Sequence, residues 1–260
     1  MDVSEPVRAI PPYGGSRPGR LKSAAHPWAV TSAAWGYRSK EGTPDGMKLL
    51  LLTCHTGEGH NSAAQALSEA AQDLGIQAQI ADPLVFGSQR AGRMAASCYN
   101  TIIRRTPRLF GAIYKAGDLY SATRLTSPVY WANSLYANGL SAYLREGGFD
   151  AVACTHLYGM EAMTALGKRG AWTAPCFGIL TDYTCVPFFA ETCLDGYFIP
   201  HADLLPEMVQ KGVPAERIRC TGIPVSPQFD AAVDRAAARR QVGMPQDTRA
   251  YLLMSGGMGC

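Results

Sequence analysis

The sequence predicts an α/β protein with a Rossmann-like parallel sheet and helices on both faces. Short apolar runs closed by turn or loop signals are typical of buried strands. Longer segments rich in Ala and Leu are typical of helices. The two kinds of segment alternate along the chain, and this alternation indicates a parallel sheet.

Six apolar runs are predicted to be strands of one sheet. They are Leu49–Leu52, Ile76–Ile80, Ala151–Thr155, Cys176–Leu180, Gly196–Ile199 and Ile218–Thr221. Helices are predicted between them at 61–74, 159–168 and 202–211, with a long helical region over about 87–146 that breaks near Pro107 and Pro128. A further run, 250–254, is predicted to be a strand leading into a second glycine loop.

The chain divides into three predicted parts. Residues 1–46 are rich in Pro and Gly without lasting periodicity, and we expect a disordered N-terminal extension. Residues 47–228 are predicted to form the Rossmann-like domain. Residues 229–260 are expected to be a linker plus the first strand and glycine loop of a second, truncated domain, because such a loop normally opens a Rossmann-like domain.

Composition excludes several classes of protein. The chain of 260 residues is 47% hydrophobic and 17% charged, as expected for a soluble globular protein. It has neither an apolar run near the roughly 20 residues that span a bilayer nor the apolar core of a signal peptide. We therefore expect a cytosolic or peripheral protein. No metal site is expected, because no His/Asp cluster has ligand spacing and the cysteines lack C-x-x-C spacing.

Residues 86–145 combine positive charge with aromatic side chains. Eight basic residues face one acid, a net charge of +7 in a chain whose total is +3. This combination suits an anionic membrane surface. The expected contacts are Arg104, Arg105, Arg108, Lys115, Tyr130 and Trp131. The alternative is a solvated basic face whose aromatic residues pack in the core; nucleic acid is not expected, since no motif for it is present.

The segment after the first strand carries the clearest functional signal. Gly57, Glu58, Gly59 and His60 are predicted to form a loop before the helix that begins at Asn61. Such a loop lets a substrate approach the backbone and lies at the positive end of the helix. His60 is then a titratable group where ligands bind in open α/β sheets.

Five ordered motifs together resemble a known family. They are Thr56–His60 followed by Ala63-Ala64, Leu180–Tyr183, Gly196–Pro200, Gly212-Val213 and Thr221–Val225. The terminal Ser255–Gly259 adds a further match. The chain from Met47 onward resembles the monogalactosyldiacylglycerol synthases and the processive diacylglycerol glucosyltransferases. One departure is the stretch Thr184–Phe189, where many relatives place a histidine and a tryptophan.

The resemblance implies the N-terminal half of a two-domain GT-B glycosyltransferase. Such enzymes transfer a hexose from a UDP-sugar to diacylglycerol with inversion, at the membrane surface and without a further cofactor. The N-terminal domain binds the lipid acceptor and the C-terminal domain binds the nucleotide-sugar donor. The implied partners are therefore a UDP-sugar, diacylglycerol and anionic lipids on the inner face of the cell membrane, with the chain inactive by itself.

Inverting transfer needs a base for the proton of the acceptor hydroxyl, and we predict that His60 is this base. The helix start disfavours imidazolium there; the alternative is that His60 only caps the loop or orients a headgroup. Asp182 is a second catalytic candidate, which would orient His60 or bind glycerol; a turn or helix-cap aspartate is the alternative. The predicted acceptor-binding residues are Thr56, Gly57, Glu58, Gly59, His156 and Tyr183, and the donor-binding residues are Gly222, Ser255, Gly256, Gly257 and Gly259.

Three other functions compete with this one. A polyprenyl-linked acceptor would use the same histidine and basic surface. A non-catalytic module that binds anionic membranes would need only the basic segment. A nicotinamide-dependent oxidoreductase is disfavoured, because the loop lacks Gly-x-Gly-x-x-Gly spacing and Asp82 is only the nearest acid to a ribose-binding position.

Overall fold

The protein forms a six-stranded sheet in which every neighbouring pair of strands is parallel. The computed structural model describes residues 46–54, 58–87, 101, 106–121, 123, 125–229 and 233–254. The strands are β1 (Lys48–Leu52), β2 (Gln77–Ala81), β3 (Ala151–Cys154), β4 (Cys176–Ile179), β5 (Gly196–Ile199) and β6 (Ile218–Cys220). Their order across the sheet is β2-β1-β3-β4-β5-β6. The six predicted strands and the parallel sheet are confirmed, with ends that differ by one residue.

The described helices follow the strands in sequence. They are α1 (Glu58–Asp73), α2 (Pro107–Ser121), α3 (Pro128–Ser134), α4 (Ala137–Gly147), α5 (Leu157–Lys168), α6 (Leu204–Gln210) and α7 (Arg235–Gln241). The predicted breaks at Pro107 and Pro128 are confirmed, since each proline is the first residue of a helix, where its missing N–H costs nothing. Most of the predicted helical region between 88 and 105 lies outside the described residues.

Apolar side chains cover both faces of the sheet, because successive strand residues point to opposite sides. Leu50 and Val152 belong to the main core, which α4, α5 and α6 close. Leu51 and Ala153 belong to a smaller cluster on the other face, where Leu67 of α1 packs. The predicted helices on both faces are therefore confirmed.

The first helix begins earlier than predicted. α1 starts at Glu58, so Glu58, Gly59 and His60 form its first turn instead of a loop before it. Asn61 explains part of the difference, because the Thr53 hydroxyl donates to its side-chain oxygen over 3.0 Å and ties the start of α1 to the end of β1. The early start places His60 directly above the carboxyl edge of the sheet.

The prediction of a strand at 250–254 was wrong. These residues have no regular structure, and Leu253 is 95% exposed. A strand exists only when a neighbour pairs with its backbone, and among the described strands none lies beside this segment. The glycine loop expected after it lies outside the described residues, as do residues 1–45 of the predicted extension.

A hydrogen bond connects the segment after β6 to α1. The Ser226 hydroxyl donates to the Glu69 carboxylate of α1 over 2.5 Å. Further along, Arg239 of α7 donates to the backbone carbonyls of Gln246 and Thr248. The chain after β6 therefore returns to the helix that carries His60. In the part of the chain that the structure describes, no helix is long and apolar enough to cross a membrane.

Candidate functional site

The ends of three strands meet at one point of the sheet. β1 lies between β2 and β3, so the chain leaves β1 in one direction to form β2 and later returns on its other side. Ligands of open α/β sheets bind at the carboxyl ends of the strands where this reversal occurs. His60 follows β1 and Thr155 follows β3, the two strands at this position, and Thr181 follows β4, the next strand along the sheet.

Hydrogen bonds fix the protonation of the His60 ring. His60 Nδ1 lies 2.7 Å from the carbonyl oxygen of Thr155 and 2.8 Å from the hydroxyl of Thr181. A carbonyl oxygen only accepts, so Nδ1 carries the proton and donates it, and the Thr181 hydroxyl accepts as well. In the neutral ring, the lone pair is then on Nε2. His60 therefore has the tautomer that a general base needs.

His156 lies beside His60 in the opposite tautomer. It is the N-cap of α5, and its Nδ1 accepts the backbone N–H of Tyr158 over 3.2 Å. Nδ1 is therefore unprotonated, and the neutral ring carries its proton on Nε2. The two imidazole centroids are 4.7 Å apart with an edge-on geometry. Burial, with a smaller contribution from His60, lowers the pKa of His156 from 6.5 to about 3, so this ring is neutral at physiological pH.

Both histidines open into a cavity of about 610 Å³. One end is polar and holds the two imidazoles with Thr155, Thr181 and Asp182. The rest is apolar, with side chains from α2, α3, α5 and the loop after β4. These apolar residues include Ile113, Val129, Met160, Val186 and Phe189. The lining thus combines a group of polar side chains with a larger apolar surface, which is the combination that an amphiphilic ligand requires.

The loop after β4 closes one side of the cavity and carries backbone strain. Phe188 has a φ of 68°, the only positive φ outside glycine in the described residues. This conformation costs of order 1–3 kcal/mol and is found where surrounding structure enforces it, often at functional sites. The Phe188 ring packs on Tyr120 and Gly117 of α2, and the Phe188 N–H donates to Ser121. From the other side, Lys211, which follows α6, donates to the Cys185 carbonyl over 2.7 Å.

A buried polar network lies under the cavity on α5. Glu161 is fully buried and accepts a hydrogen bond from the Asn133 side chain of α3. The Tyr136 hydroxyl lies 2.8 Å from the Asn133 side-chain oxygen and 3.0 Å from the Tyr158 carbonyl. Burial and, to a smaller extent, the Glu191 charge raise the pKa of Glu161 to about 8, although the Asn133 hydrogen bond opposes the shift. Glu161 is therefore mostly protonated at neutral pH.

The structure brings some of the predicted acceptor residues together. His60, His156 and Asp182 line the same cavity, and Tyr183 follows Asp182 with 70% of its surface exposed. Glu58 and Gly59 are exposed in the first turn of α1. Among the described residues, Asp182 makes no hydrogen bond to His60; Thr155 and Thr181 orient that ring instead. Thr56 and Gly57 lie outside the described residues.

The predicted membrane contacts divide into exposed and buried side chains. Trp131 and Lys115 are exposed. Tyr130 is 8% exposed and lies in the core with Lys168 4.9 Å from its ring centre, so the prediction that it contacts a membrane does not fit. These two consecutive residues of α3 therefore lie on a buried and an exposed face of the helix. Arg104 and Arg105 lie outside the described residues, and Arg108 lies in α2 without a described side chain.

Of the predicted donor residues, only Gly222 is described. It follows β6 with a φ of 87°, which favours glycine, and its N–H donates to the Ile199 carbonyl over 3.3 Å. Ser255, Gly256, Gly257 and Gly259 lie outside the described residues. The donor-binding role of these five residues stays a prediction.

Sequence reasoning did not single out Thr155 and Thr181, which hold His60. Thr155 ends one predicted strand and Thr181 directly follows another, and these positions were themselves a signal, because polar residues there face the ligand edge of a parallel sheet. Phe188 gave no such signal, since nothing in its sequence context indicates a positive φ.

The chain is similar in sequence to proteins of known function. The family model for monogalactosyldiacylglycerol (MGDG) synthase matches residues 60–225. Processive diacylglycerol beta-glucosyltransferases of Bacillus cytotoxicus and Bacillus mycoides are each 27% identical over 217 residues, 82% of this chain and 54% of theirs. The chain thus spans about half the length of these curated relatives. The lipopolysaccharide outer core galactosyltransferase WaaB, in its apo form, aligns with a TM-score of 0.38 and 9% identity over 66% of this chain and 44% of that chain.

The matched segment begins at His60 and ends at Val225, so it contains β2 to β6 and the residues that form the cavity. It covers well over half of the 260 residues. This chain belongs to the monogalactosyldiacylglycerol synthase family.

Proposed function

We propose that this chain is the acceptor-binding half of a glycolipid glycosyltransferase. The whole enzyme would transfer a hexose from a UDP-sugar to the free hydroxyl of diacylglycerol, with inversion at the anomeric carbon. The observation that carries this proposal is the position of His60 Nε2, an unprotonated nitrogen at the polar end of an otherwise apolar cavity. The family and the name of its diacylglycerol-glucosylating relatives support the choice of reaction.

His60 is the base in this proposal. The acceptor hydroxyl donates its hydrogen to Nε2, and its oxygen attacks the anomeric carbon as the bond to the UDP oxygen breaks. Nδ1 keeps its hydrogen bonds to Thr155 and Thr181, which hold the ring in place and stabilise the imidazolium that forms. Asp182 lines the same cavity and would contact the glycerol.

The apolar wall of the cavity would receive the acyl chains. It is built from α2, α3 and the loop after β4, and several large apolar side chains in and next to these two helices are exposed. They are Ile113, Leu119, Leu125, Trp131 and Leu135. Exposed apolar residues next to basic ones fit an enzyme that rests on an anionic bilayer and takes its acceptor from it. The inner face of the cell membrane is the proposed location.

The donor would be held mainly by a second domain, since the relatives are about twice as long as the segment they share with this chain. Gly222, Ser255, Gly256, Gly257 and Gly259 are proposed to contribute to that site. We accordingly expect the chain alone to bind the acceptor and to show no transfer.

Acceptor binding tests the proposal directly. Dioctanoylglycerol should bind the chain saturably and raise its midpoint of thermal unfolding, because a ligand that binds only the native state stabilises it. The chain joined to the C-terminal half of the Bacillus cytotoxicus relative should then produce a β-linked glycolipid from a UDP-sugar and diacylglycerol. Absence of saturable binding by the chain would rule out the acceptor role.

Vesicle sedimentation tests the membrane surface. Leu125 and Leu74 are each 62% exposed, but Leu125 lies between α2 and α3 and Leu74 follows α1. Leu125→Ala should weaken binding to anionic vesicles by about tenfold, the expected cost of one leucine that no longer enters the bilayer. Leu74→Ala is the matched control and should bind as the wild type does. Equal effects of the two substitutions would argue against this surface.

A further inference from the structure

The two histidines of the cavity present opposite hydrogen-bonding groups. The contact between His60 Nδ1 and the Thr155 carbonyl leaves the lone pair on His60 Nε2. The contact between Tyr158 N–H and His156 Nδ1 places the proton of His156 on Nε2. One ring is therefore an acceptor at Nε2 and the other a donor at Nε2.

The two rings are in edge-on contact in the lining of the cavity. Their centroids are 4.7 Å apart, and both residues line the same end of the cavity. The lowered pKa of His156, about 3, keeps its ring neutral, so that the pair does not become two adjacent cations. The backbone fixes both tautomers, through a strand-end carbonyl in one case and the start of α5 in the other.

Thr155 adds a second sign that a polar ligand group belongs here. Its side chain is 1% exposed, and its hydroxyl has no hydrogen-bond partner among the described residues. Buried hydroxyls are nearly always paired, since an unpaired one costs free energy. Thr155 is connected to both histidines, because its carbonyl accepts from His60 and His156 is the next residue in the chain.

A hydroxyl group is the ligand that matches this pair, because it donates one hydrogen bond and accepts another. We propose that His156 is a specificity-determining residue that donates Nε2–H to the same acceptor oxygen whose proton His60 Nε2 receives. This inference rests on the proposed function. It identifies the hydroxyl group as the feature of the acceptor that the site recognises. The ester oxygens of diacylglycerol only accept, so they satisfy His156 but leave His60 without a donor.

The reaction balances with these roles. The hydroxyl proton moves to His60 Nε2, the oxygen forms a bond to the anomeric carbon, and the bond from that carbon to the diphosphate breaks with its electron pair on UDP. His156 keeps its proton throughout. Its hydrogen bond uses one lone pair of the oxygen and leaves the other directed at the anomeric carbon, so its contribution is orientation.

Substitutions at position 156 separate this role from helix capping. Asn places an amide oxygen where His156 Nδ1 accepts the Tyr158 N–H, and Asn is a preferred N-cap, so His156→Asn retains the cap and loses the reach of Nε2. Gln extends an amide N–H to about the position of Nε2, so His156→Gln retains the donor and loses the cap. The cap loss in His156→Gln should lower the midpoint of thermal unfolding by about 2–4 °C.

Binding of two probes by the 260-residue chain tests the proposal. Dioctanoylglycerol carries the hydroxyl, and 1,2-dioctanoyloxypropane has hydrogen in its place. We expect the wild type to prefer the alcohol by about tenfold or more, His156→Asn to reduce this preference to about threefold, and His156→Gln to retain most of it. His201→Ala, at an exposed histidine after β5, is the matched control and should leave the preference unchanged.

The outcomes distinguish the two proposals. If the wild type binds neither probe, the proposed function fails. If it prefers the alcohol and His156→Asn preserves that preference, the role of His156 is overturned and the acceptor site stands. Nitrogen-15 chemical shifts of the rings give a check without any ligand: His60 should carry its proton on Nδ1 and His156 on Nε2, and the reverse assignment for either ring would contradict the proposal.

Discussion

At the ends of β3 and β5 the chain builds similar local structures. His156 follows β3, and its Nδ1 accepts the N–H of Tyr158 over 3.2 Å; His201 follows β5, and its Nδ1 accepts the N–H of Asp203 over 3.3 Å. Each histidine precedes a helix. Yet His156 lines a cavity against a second imidazole, whereas the side chain of His201 is 60% exposed beside Asp203.

The difference comes from position in the sheet. β3 lies next to β1 at the point where the strand order reverses, so the helix after β1 brings His60 to it. β5 lies between β4 and β6, away from that point. The local hydrogen bonding is therefore similar in both places, and the tertiary neighbours decide whether the ring has a use.

The largest expected difference between the two strand ends is the effect of a histidine substitution on turnover. In the chain joined to the C-terminal half of the Bacillus cytotoxicus relative, His60→Ala should lower turnover by roughly 10²–10⁴-fold, the usual contribution of a general base. His201→Ala should stay within twofold of the parent. Initial rates with labelled UDP-sugar measure both. A His60→Ala rate within threefold of the parent would show that His60 is not the base.

The helix that follows His156 contains a buried ionisable group, and the stability of the protein should therefore depend on pH. α5 contains the fully buried Glu161, whose pKa is raised from 4.5 to about 8. Because the native state holds this proton more tightly, the stability from it is fully present below pH 4.5 and is lost as pH rises through 8. The limiting slope is about 1.4 kcal/mol per pH unit.

Glu161→Gln has no proton to lose, so its stability relative to the wild type should rise as pH increases from 5 to 8. Urea unfolding at several pH values within this range measures the effect. Glu146→Gln, on the exposed surface of α4, is the control and should follow the wild-type curve. Parallel curves for Glu161→Gln and the wild type would contradict the raised pKa.

The packing of β4 against β5 supplies a smaller effect. A methyl group on Gly178 would lie 2.9 Å from the Tyr197 ring and 3.2 Å from Met160 Sδ. Tyr197 is buried, and its hydroxyl accepts the Leu194 N–H over 3.0 Å, so the ring has little room to move. Gly178→Ala should cost about 1–3 kcal/mol of unfolding free energy.

Gly167 of α5 is the counterpart, because a methyl group there has no atom within 4 Å. Gly167→Ala should stabilise the protein by about 0.5–1 kcal/mol through helix propensity. Urea unfolding of both variants tests the pair. A stabilising Gly178→Ala would show that Tyr197 and Met160 move more freely than their burial suggests.

The sequence predicted the sheet well because buried parallel strands are apolar on both faces and therefore appear as short apolar runs. It placed His60 at the ligand edge for the same reason. It could not supply the partners of His60, because Thr155 and Thr181 lie 95 and 121 residues away and their contact depends on strand order. Composition likewise grouped Tyr130 with Trp131, although only Tyr130 packs in the core.

The segment 250–254 also shows that an apolar pattern alone does not determine the structure of a segment. Its apolar pattern matches a strand as well as that of β1 does, but a pattern records only what a segment would bury if a neighbour were present. β1 has β2 and β3 beside it, whereas no described strand pairs with 250–254. Pairing, which is a property of the fold, decides between the two.

The smallest expected effect belongs to the charge beside His201. Asp203 Oδ2 lies 3.3 Å from His201 Nδ1, but the two side chains are 60% and 92% exposed. Water screens such a pair, and exposed ion pairs contribute about 0–1 kcal/mol. Asp203→Asn should therefore change the free energy of unfolding by less than about 1 kcal/mol at pH 6, as measured by urea denaturation. A larger loss would mean that the charges of His201 and Asp203 stabilise the end of β5. The ends of β3 and β5 would then differ less than burial suggests, since burial and a neighbouring ring set the properties of His156 after β3.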